Sequence, residues 1–242
     1  MPEKVGCISP GCPKNLVDSE IMLGILKNGD FEITTNMKSA EALIIHTCAF
    51  IGDAMEEAVD TILEAAELKK KAQLKALIVT GCLAQRYKGE ILNEIPEVDA
   101  VIGTGNIPDT GSVIEKLVHG KENKVLSTGN PWDVTYLDSL RLLSCNGASQ
   151  YLKIAEGCSN FCTYCIIPSL RGPYRSRTVE SVLLEAEFLV NKGSRELILM
   201  APEIDPLIYI ASEEPLKIGD FVKARILDTD RMDLIGEVAE YD

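Results

Sequence analysis

Nowhere in this chain do apolar residues run on for the roughly 18 positions a membrane helix requires, so a spanning protein is excluded and no membrane partner is expected. The opening Met1-Pro2-Glu3-Lys4 lacks the apolar core of an export leader, which makes the cytoplasm the expected compartment. Basic residues are scarce: 24 Lys and Arg face 37 Asp and Glu, a net charge of −13. That balance argues against a general nucleic-acid-binding surface. Histidine is nearly absent, with only His46 and His119, so a nitrogen-based metal site has little to draw on. Internal repeats and low-complexity tracts are missing too.

What remains is an ordinary globular composition, 46% apolar and 25% charged over 242 residues, enough for one or two domains. The charge is uneven. Residues 201–242 carry eleven acidic and four basic side chains, a net of −7. The distinctive residue is cysteine, at positions 7, 12, 48, 82, 145, 158, 162 and 165. Disulfide frameworks belong to small secreted scaffolds, and this chain is too long and too apolar for that reading. Metal or redox chemistry in a reducing compartment is the expectation.

Short β-branched runs at Val5–Ile8, Ala42–His46, Ala76–Thr80 and Ala100–Ile102 read as strands buried on both faces. Helical patterns lie between and after them, at Leu16–Lys27, Asp53–Lys70, Ala84–Glu94 and Pro108–Val118. Strand–helix alternation predicts an α/β fold with a doubly wound parallel sheet over residues 1–125. Residues 126–149, with turn signals at Asn130-Pro131 and Asn146-Gly147, read as a linker. A second βα unit over 150–200 places strand Tyr151–Ala155, a Cys-rich loop, helix Val179–Lys192 and strand Glu196–Met200. The tail, 201–242, reads as short antiparallel strands at Leu207–Ala211, Phe221–Leu227 and Asp233–Ala239.

Cys12, Cys48 and Cys82 each fall within about four residues of a predicted strand end, and in a parallel sheet those turns line the ligand-binding edge. Three thiolates there suit an iron–sulfur cluster with one open iron, whereas structural zinc wants four ligands. Three buried thiols that merely fill space are the alternative. The second group, Cys158-Ser-Asn-Phe-Cys162-Thr-Tyr-Cys165, is C-x3-C-x2-C on one loop. A zinc site completed by Cys145 or a histidine is its alternative, although zinc loops usually pair as C-x2-C.

This second spacing resembles that of the radical S-adenosylmethionine (SAM) enzymes, in which three cysteines bind a cubane, SAM chelates the fourth iron, and an electron from the cluster cleaves SAM to a 5′-deoxyadenosyl radical. The two groups together resemble the methylthiotransferases, which join an N-terminal cluster domain to a radical-SAM barrel and a small β domain called TRAM. Gly11-Cys-Pro-Lys-Asn-Leu-Val-Asp-Ser-Glu20, Thr47-Cys48-Ala-Phe-Ile51, Gly81-Cys82-Leu-Ala-Gln-Arg-Tyr87 and Glu156-Gly-Cys158 through Arg177 are similar to the motifs of its RimO branch. The resemblance implies two [4Fe–4S] clusters, held by Cys12, Cys48 and Cys82 and by Cys158, Cys162 and Cys165, with Tyr164 near the adenine of SAM. It implies methylthiolation of the β-carbon of an aspartate in small-subunit ribosomal protein twelve, with electrons from a reductant protein such as flavodoxin or ferredoxin. His46 stands where the family has Asn and reads as a tolerated neighbour of Cys48. Arg171, Arg175 and Arg177 face anionic groups of SAM or substrate, or else form a solvated loop. The acidic tail favours a basic protein over tRNA, the substrate of the related MiaB branch, unless its charge serves solubility alone.

Between Tyr151 and the tail the chain has only about 50 residues, where a full barrel of this class runs to about 200 or more. Ala201-Pro-Glu-Ile-Asp205 resembles a stretch well inside TRAM, which places a seam near Met200–Ala201. Most of the barrel and the start of TRAM are therefore expected to be missing. Three functions follow: an impaired methylthiotransferase, an inactive cluster-binding remnant or interaction module, and a MiaB-like tRNA enzyme.

Overall fold

The computed structural model describes residues 2–49, 51–71, 74–132, 135–145, 147–201, 208–211, 224–230 and 233–238. It divides into two compact units, residues 1–202 and 203–242. In the first unit, β1 (Lys4–Ile8) leads through Cys12 into α1 (Pro13–Asn28), then to β2 (Glu32–Ile33) and β3 (Ala42–Thr47). Next come α2 (Gly52–Lys71), β4 (Ala76–Gly81), α3 (Cys82–Tyr87), α4 (Gly89–Glu94), β5 (Ala100–Ile102), α5 (Thr110–Val118) and β6 (Val125–Ser127). The six strands form one sheet in the order β2-β1-β3-β4-β5-β6, every neighbouring pair parallel. The expected doubly wound sheet is present, with two-residue β2 and three-residue β6 as edges the hydrophobic pattern was too short to reveal.

Period-two alternation sorts the core. Ile44, Ile78 and Ile102 point to the face covered by α1 and α5, while Leu43, Leu77 and Val101 point to the face covered by α2, α3 and α4. On α2, Ala58, Ile62, Ala65 and Ala66 form the buried stripe, as their spacing predicts. The single helix expected over Ala84–Glu94 is instead two. Lys88 adopts φ 48°, in the left-handed region, and Gly89, a weak helix former, follows it.

The strand order reverses between β1 and β3: the chain runs outward from β1 to β2, then returns to β1's other side. Such a switch point opens a crevice at the carboxyl ends of the strands. Cys12 follows β1 and Cys48 follows β3, so the fold delivers both to that crevice.

The segment expected as a linker packs closely. A 3₁₀ turn, Thr135–Asp138, buries Tyr136 and Leu137 in the same core as α1. Then β7 (Ser149–Lys153), β8 (Ala155–Glu156), α6 (Ile167–Arg171), β9 (Arg175–Ser176), α7 (Val179–Asn191) and β10 (Glu196–Met200) follow. β7 and β10 pair in parallel, and β8 and β9 antiparallel. Thr178 caps α7 by accepting from the Ser181 amide at 3.2 Å. This part is unfinished as a βα array. Leu183 and Leu184 on α7 are 56% and 68% exposed, and Leu199 on β10 is 55% exposed.

In the second unit, β12 (Ala224–Asp230) and β13 (Asp233–Val238) pair antiparallel, while β11 (Ile208–Ala211) adds to β13 in parallel. The antiparallel expectation holds for β12 with β13 and is incorrect for β11, because alternation of apolar residues marks a strand without fixing its direction. The predicted strand starts at Leu207 and Phe221, the end at Ala239, the seam residues past Ala201 and the turn residue Asn146 lie outside the described residues.

Candidate functional site

Cys12 is the N-cap of α1, Cys48 lies one residue past β3, and Cys82 opens α3 directly after β4. Glycines in the left-handed half of backbone space precede two of them, Gly11 at φ +138° and Gly81 at φ +94°. Gly81 is obligatory on two counts. Its φ is strained for any L side chain, and a Cβ there would stand 2.4 Å from the Thr47 carbonyl oxygen and 2.5 Å from His46 Cδ2. Gly157, before Cys158, has φ +75°, and a Cβ on it would meet the Pro173 carbonyl oxygen at 2.0 Å. Both cysteine turns are thus wound so tightly that only glycine fits.

The Cys12 and Cys48 thiols are hydrogen-bonded to one another, which is the largest influence bringing Cys12 down to about 5; burial opposes it, and the Arg171 charge helps. Cys82 is pushed up by burial against the pull of Arg171, which bonds its thiol. Asn15, on the first turn of α1, ties the group together. Its Nδ2 donates to the Thr47 carbonyl at 2.8 Å, beside Cys48, and its Oδ1 lies 3.5 Å from Cys12 Sγ.

Arg171 is the hub. From the end of α6 its guanidinium donates to Asn15 Oδ1 at 3.1 Å, Asp18 Oδ2 at 2.8 Å and Glu156 Oε2 at 3.0 Å. Lys153, 0% exposed, bridges Asp18 and Glu156 from the other side, reaching Glu156 Oε2 at 2.8 Å. Two cations and two carboxylates are thereby buried together, each with an opposite charge and directional hydrogen bonds. Burial alone would raise both carboxyls, yet Lys153 and Arg171 hold Asp18 and Glu156 below the usual carboxylate range. Arg171 keeps its own proton against burial because Cys82, Glu156 and Asp18 surround it.

The same layout repeats further along α1. Glu20 Oε2 accepts from Arg141 Nη2 at 2.7 Å, and Glu20 Oε1 accepts from the Ser144 amide at 2.9 Å. Arg141 also reaches Glu185 Oε1 at 2.6 Å, and Glu185 pairs with Arg177, which packs against Ser181 on α7. The solvated-loop expectation for Arg171 and Arg177 is therefore incorrect. Their side chains are 6% and 4% exposed, because carboxylates of α1, β8 and α7 draw them inward. Arg175 donates from Nη2 to the Arg171 carbonyl at 2.8 Å.

His46 is buried beside this group. Its Nδ1 lies 2.8 Å from Ser19 Oγ, and burial brings it down to about 4, so it stands neutral at pH 7.

In the second group, Cys158 is buried and its amide donates to the Gly172 carbonyl at 3.0 Å. Cys165 donates its amide to the Cys162 carbonyl at 2.9 Å, which makes the loop a tight turn. Cys162 is exposed, and Tyr164, 91% exposed, projects beside it. Among the described residues, no three His, Cys, Asp or Glu side chains close on a point as ligands of a single ion would. A cubane asks for something else, since each thiolate binds a different iron and the sulfurs stand apart. All-sulfur donors on glycine-wound turns fit such a cluster in chemistry.

Asn15, Asp18, Glu20, Lys153 and Glu156 were not singled out by residue-level reasoning. One signal was available: α1 has no clean polar stripe, and positions 17 through 22 are all buried, so its acids must find buried partners.

Residues 4–103 match the model of the uncharacterized protein family UPF0004, and residues 195–239 match the TRAM domain. The chain is 53% identical over 209 residues to "Ribosomal protein uS12 methylthiotransferase RimO" of Acetivibrio thermocellus, covering 84% of this chain and 46% of that protein. Proteins of the same name from Pelotomaculum thermopropionicum and Trichlorobacter lovleyi are 49% and 50% identical over 200 and 202 residues, covering 83% and 84% of this chain and 45% of each relative. Over the matched residues the chain is similar to the RimO-type methylthiotransferases. It spans about half the length of the curated relatives it matches, 45–46% in these three. The TRAM match begins at residue 195, one residue before β10, the second of the two parallel strands of the short βα array.

Proposed function

We propose that this chain is a cluster-binding member of the RimO lineage in which cofactor binding persists and turnover is impaired. Cys12, Cys48 and Cys82 hold one [4Fe–4S] cluster, and Cys158, Cys162 and Cys165 hold a second that receives SAM, with Tyr164 beside it. Residues 1–125 form the first cluster domain, 126–149 its connection, 150–200 a shortened radical-SAM domain and 201–242 a partial TRAM domain. The carrying observation is the gathering of the three strand-end cysteines at one sheet edge under the Arg171 fork.

When bound, the clusters and SAM supply the sulfur and radical chemistry of the family. The chain's own residues contribute position and charge. Asn15 fixes the Cys48 turn through the Thr47 carbonyl, and Arg171 brings positive charge to the thiolates of Cys12 and Cys82. Arg171 also links the first cysteine group to the segment carrying the second, through Glu156 two residues before Cys158. Exclusion of water is the weak point. With Cys162 exposed, Tyr164 projecting into solvent and two strands in the second array, the Cys162–Tyr164 tip of the loop is open to water, and small misplacements of about 1 Å can cost 10²-fold in rate.

The substrate class is a basic ribosomal protein, uS12 by the name the relatives carry, with electrons from a flavodoxin- or ferredoxin-type reductant in the cytoplasm. The tail's net charge of −7 disfavours tRNA. No helix among the described residues is long and apolar enough to cross a membrane. The test is anaerobic incubation of the full chain with SAM, reductant and uS12, read by mass spectrometry of uS12 and by release of 5′-deoxyadenosine. Slow SAM cleavage with little or no modification is expected. Efficient multiple-turnover methylthiolation would refute the impairment, and tRNA modification would favour the MiaB-like reading.

A further inference from the structure

An open groove of about 630 Å³ runs between α2 and the α3–α4 pair, and no residue of 135–201 lines it. Its floor is built from Ile62, Leu83 and Ile91, all buried in the core of that face. Its walls are apolar and open to solvent: Val59 is 38% and Leu63 48% exposed, with Met55 and Tyr87 closing one end. The charged lining is of one sign. Glu56 and Asp60 on α2 and Glu90 and Glu94 on α4 line it, with no lysine or arginine among the lining residues. None of these four acids forms an ion pair among the described residues. The nearby Arg86 is turned toward the Ala49 carbonyl and Met55 Sδ.

We infer that this groove docks a basic amphipathic helix of a partner protein. An apolar floor selects an apolar helix ridge repeating at i, i+3 or i+4, and i+7, and unpaired carboxylates on both banks select Lys or Arg flanking that ridge. The α2 bank runs from Met55 to Leu63, a rise of about 12 Å, which matches two to three turns of a docked helix. The inference needs neither cluster nor SAM, so it stands or falls apart from the cofactor assignment.

The probe is a fluorescein-labelled Leu/Lys amphipathic peptide of about 14 residues, four turns of helix. Its control is the same pattern with Glu in place of Lys, and both are titrated against the full-length apo chain by fluorescence anisotropy. The Leu/Lys peptide should bind at least about tenfold more tightly than its acidic counterpart, and more weakly as salt rises. Two surface variants locate the site: Glu56→Gln with Asp60→Asn, Glu90→Gln and Glu94→Gln, and separately Val59→Ser with Leu63→Ser. Each should weaken binding about tenfold while the thermal midpoint stays near that of the unmodified chain. Amide shift changes in the ¹⁵N spectrum should centre on α2 and α4. Equal affinity for the two peptides, undiminished binding by the quadruple variant, or a footprint confined to the acidic residues 201–242 would overturn the inference.

Discussion

Replacing Arg171 with Met keeps most of the side-chain volume and removes the charge and the fork. In the native network Asp18 and Glu156 balance Lys153 and Arg171, and all four side chains are at most 6% exposed. The variant leaves one buried carboxylate uncompensated. It also leaves Asn15 Oδ1, Asp18 Oδ2 and Glu156 Oε2 without the guanidinium that bonded them at 2.8–3.1 Å. Breaking a buried pair in this way costs about 3–5 kcal/mol. Total stabilities run to about 5–15 kcal/mol, so the loss is a large fraction of the whole. For a unit of roughly 200 residues the thermal midpoint should fall by roughly 6–20 °C. Adding Asp18→Asn restores charge balance and should recover about 1–2 kcal/mol, the scale of one buried polar mismatch. The assay is urea unfolding of the unmodified chain, both single variants and the double variant. The network also carries a pH signature. Asp18 titrates lower folded than unfolded, so its stabilisation is complete above the unfolded carboxyl value of about 3.9 and is lost as pH falls toward the folded value. The stability gap between the unmodified chain and Asp18→Asn should therefore narrow below about pH 4. A loss under about 1 kcal/mol for Arg171→Met, or a double variant no more stable than the single, would refute the network's role.

Gly81→Ala should fail to fold or lose more than about 2 kcal/mol, since strain at φ +94° adds to the clash with Thr47; circular dichroism and urea titration read it. In the apo chain at pH 8, iodoacetamide should label exposed Cys145 and Cys162 before the half-buried Cys7, whose thiol is pushed up to about 12 by desolvation; peptide mapping over time gives the order, and equal rates would contradict it. Leu184→Lys with Leu199→Lys should raise the concentration at which the chain stays monomeric by light scattering, because both apolar side chains are more than half exposed, at 68% and 55%.

Much of the first unit is legible in the sequence because its strands are buried on both faces, and runs such as Ala42–His46 and Ala76–Thr80 have no competing interpretation. The positions of Cys12, Cys48 and Cys82 follow from those strands, since every parallel strand ends at the same edge. Residues whose partners are far along the chain were hidden. Asp18 meets Arg171 across 153 positions and Glu20 meets Arg141 across 121, and no local pattern encodes such pairings. Charged loop residues are exposed by default, which is why Arg171 and Arg177 read as solvated until their carboxylate partners were placed. Lys88 broke a helix that apolar periodicity alone would have carried through to Glu94.

The central claim is that two separate cysteine groups each hold one cluster, and iron content tests it most directly. Anaerobically reconstituted full-length chain should bind about eight irons, the content of two cubanes, with matching sulfide. Changing Cys12, Cys48 and Cys82 together to Ala should leave about four, and changing Cys158, Cys162 and Cys165 together should also leave about four. A full complement in either triple variant, or zinc in place of iron and sulfide in the unmodified chain, would contradict the assignment.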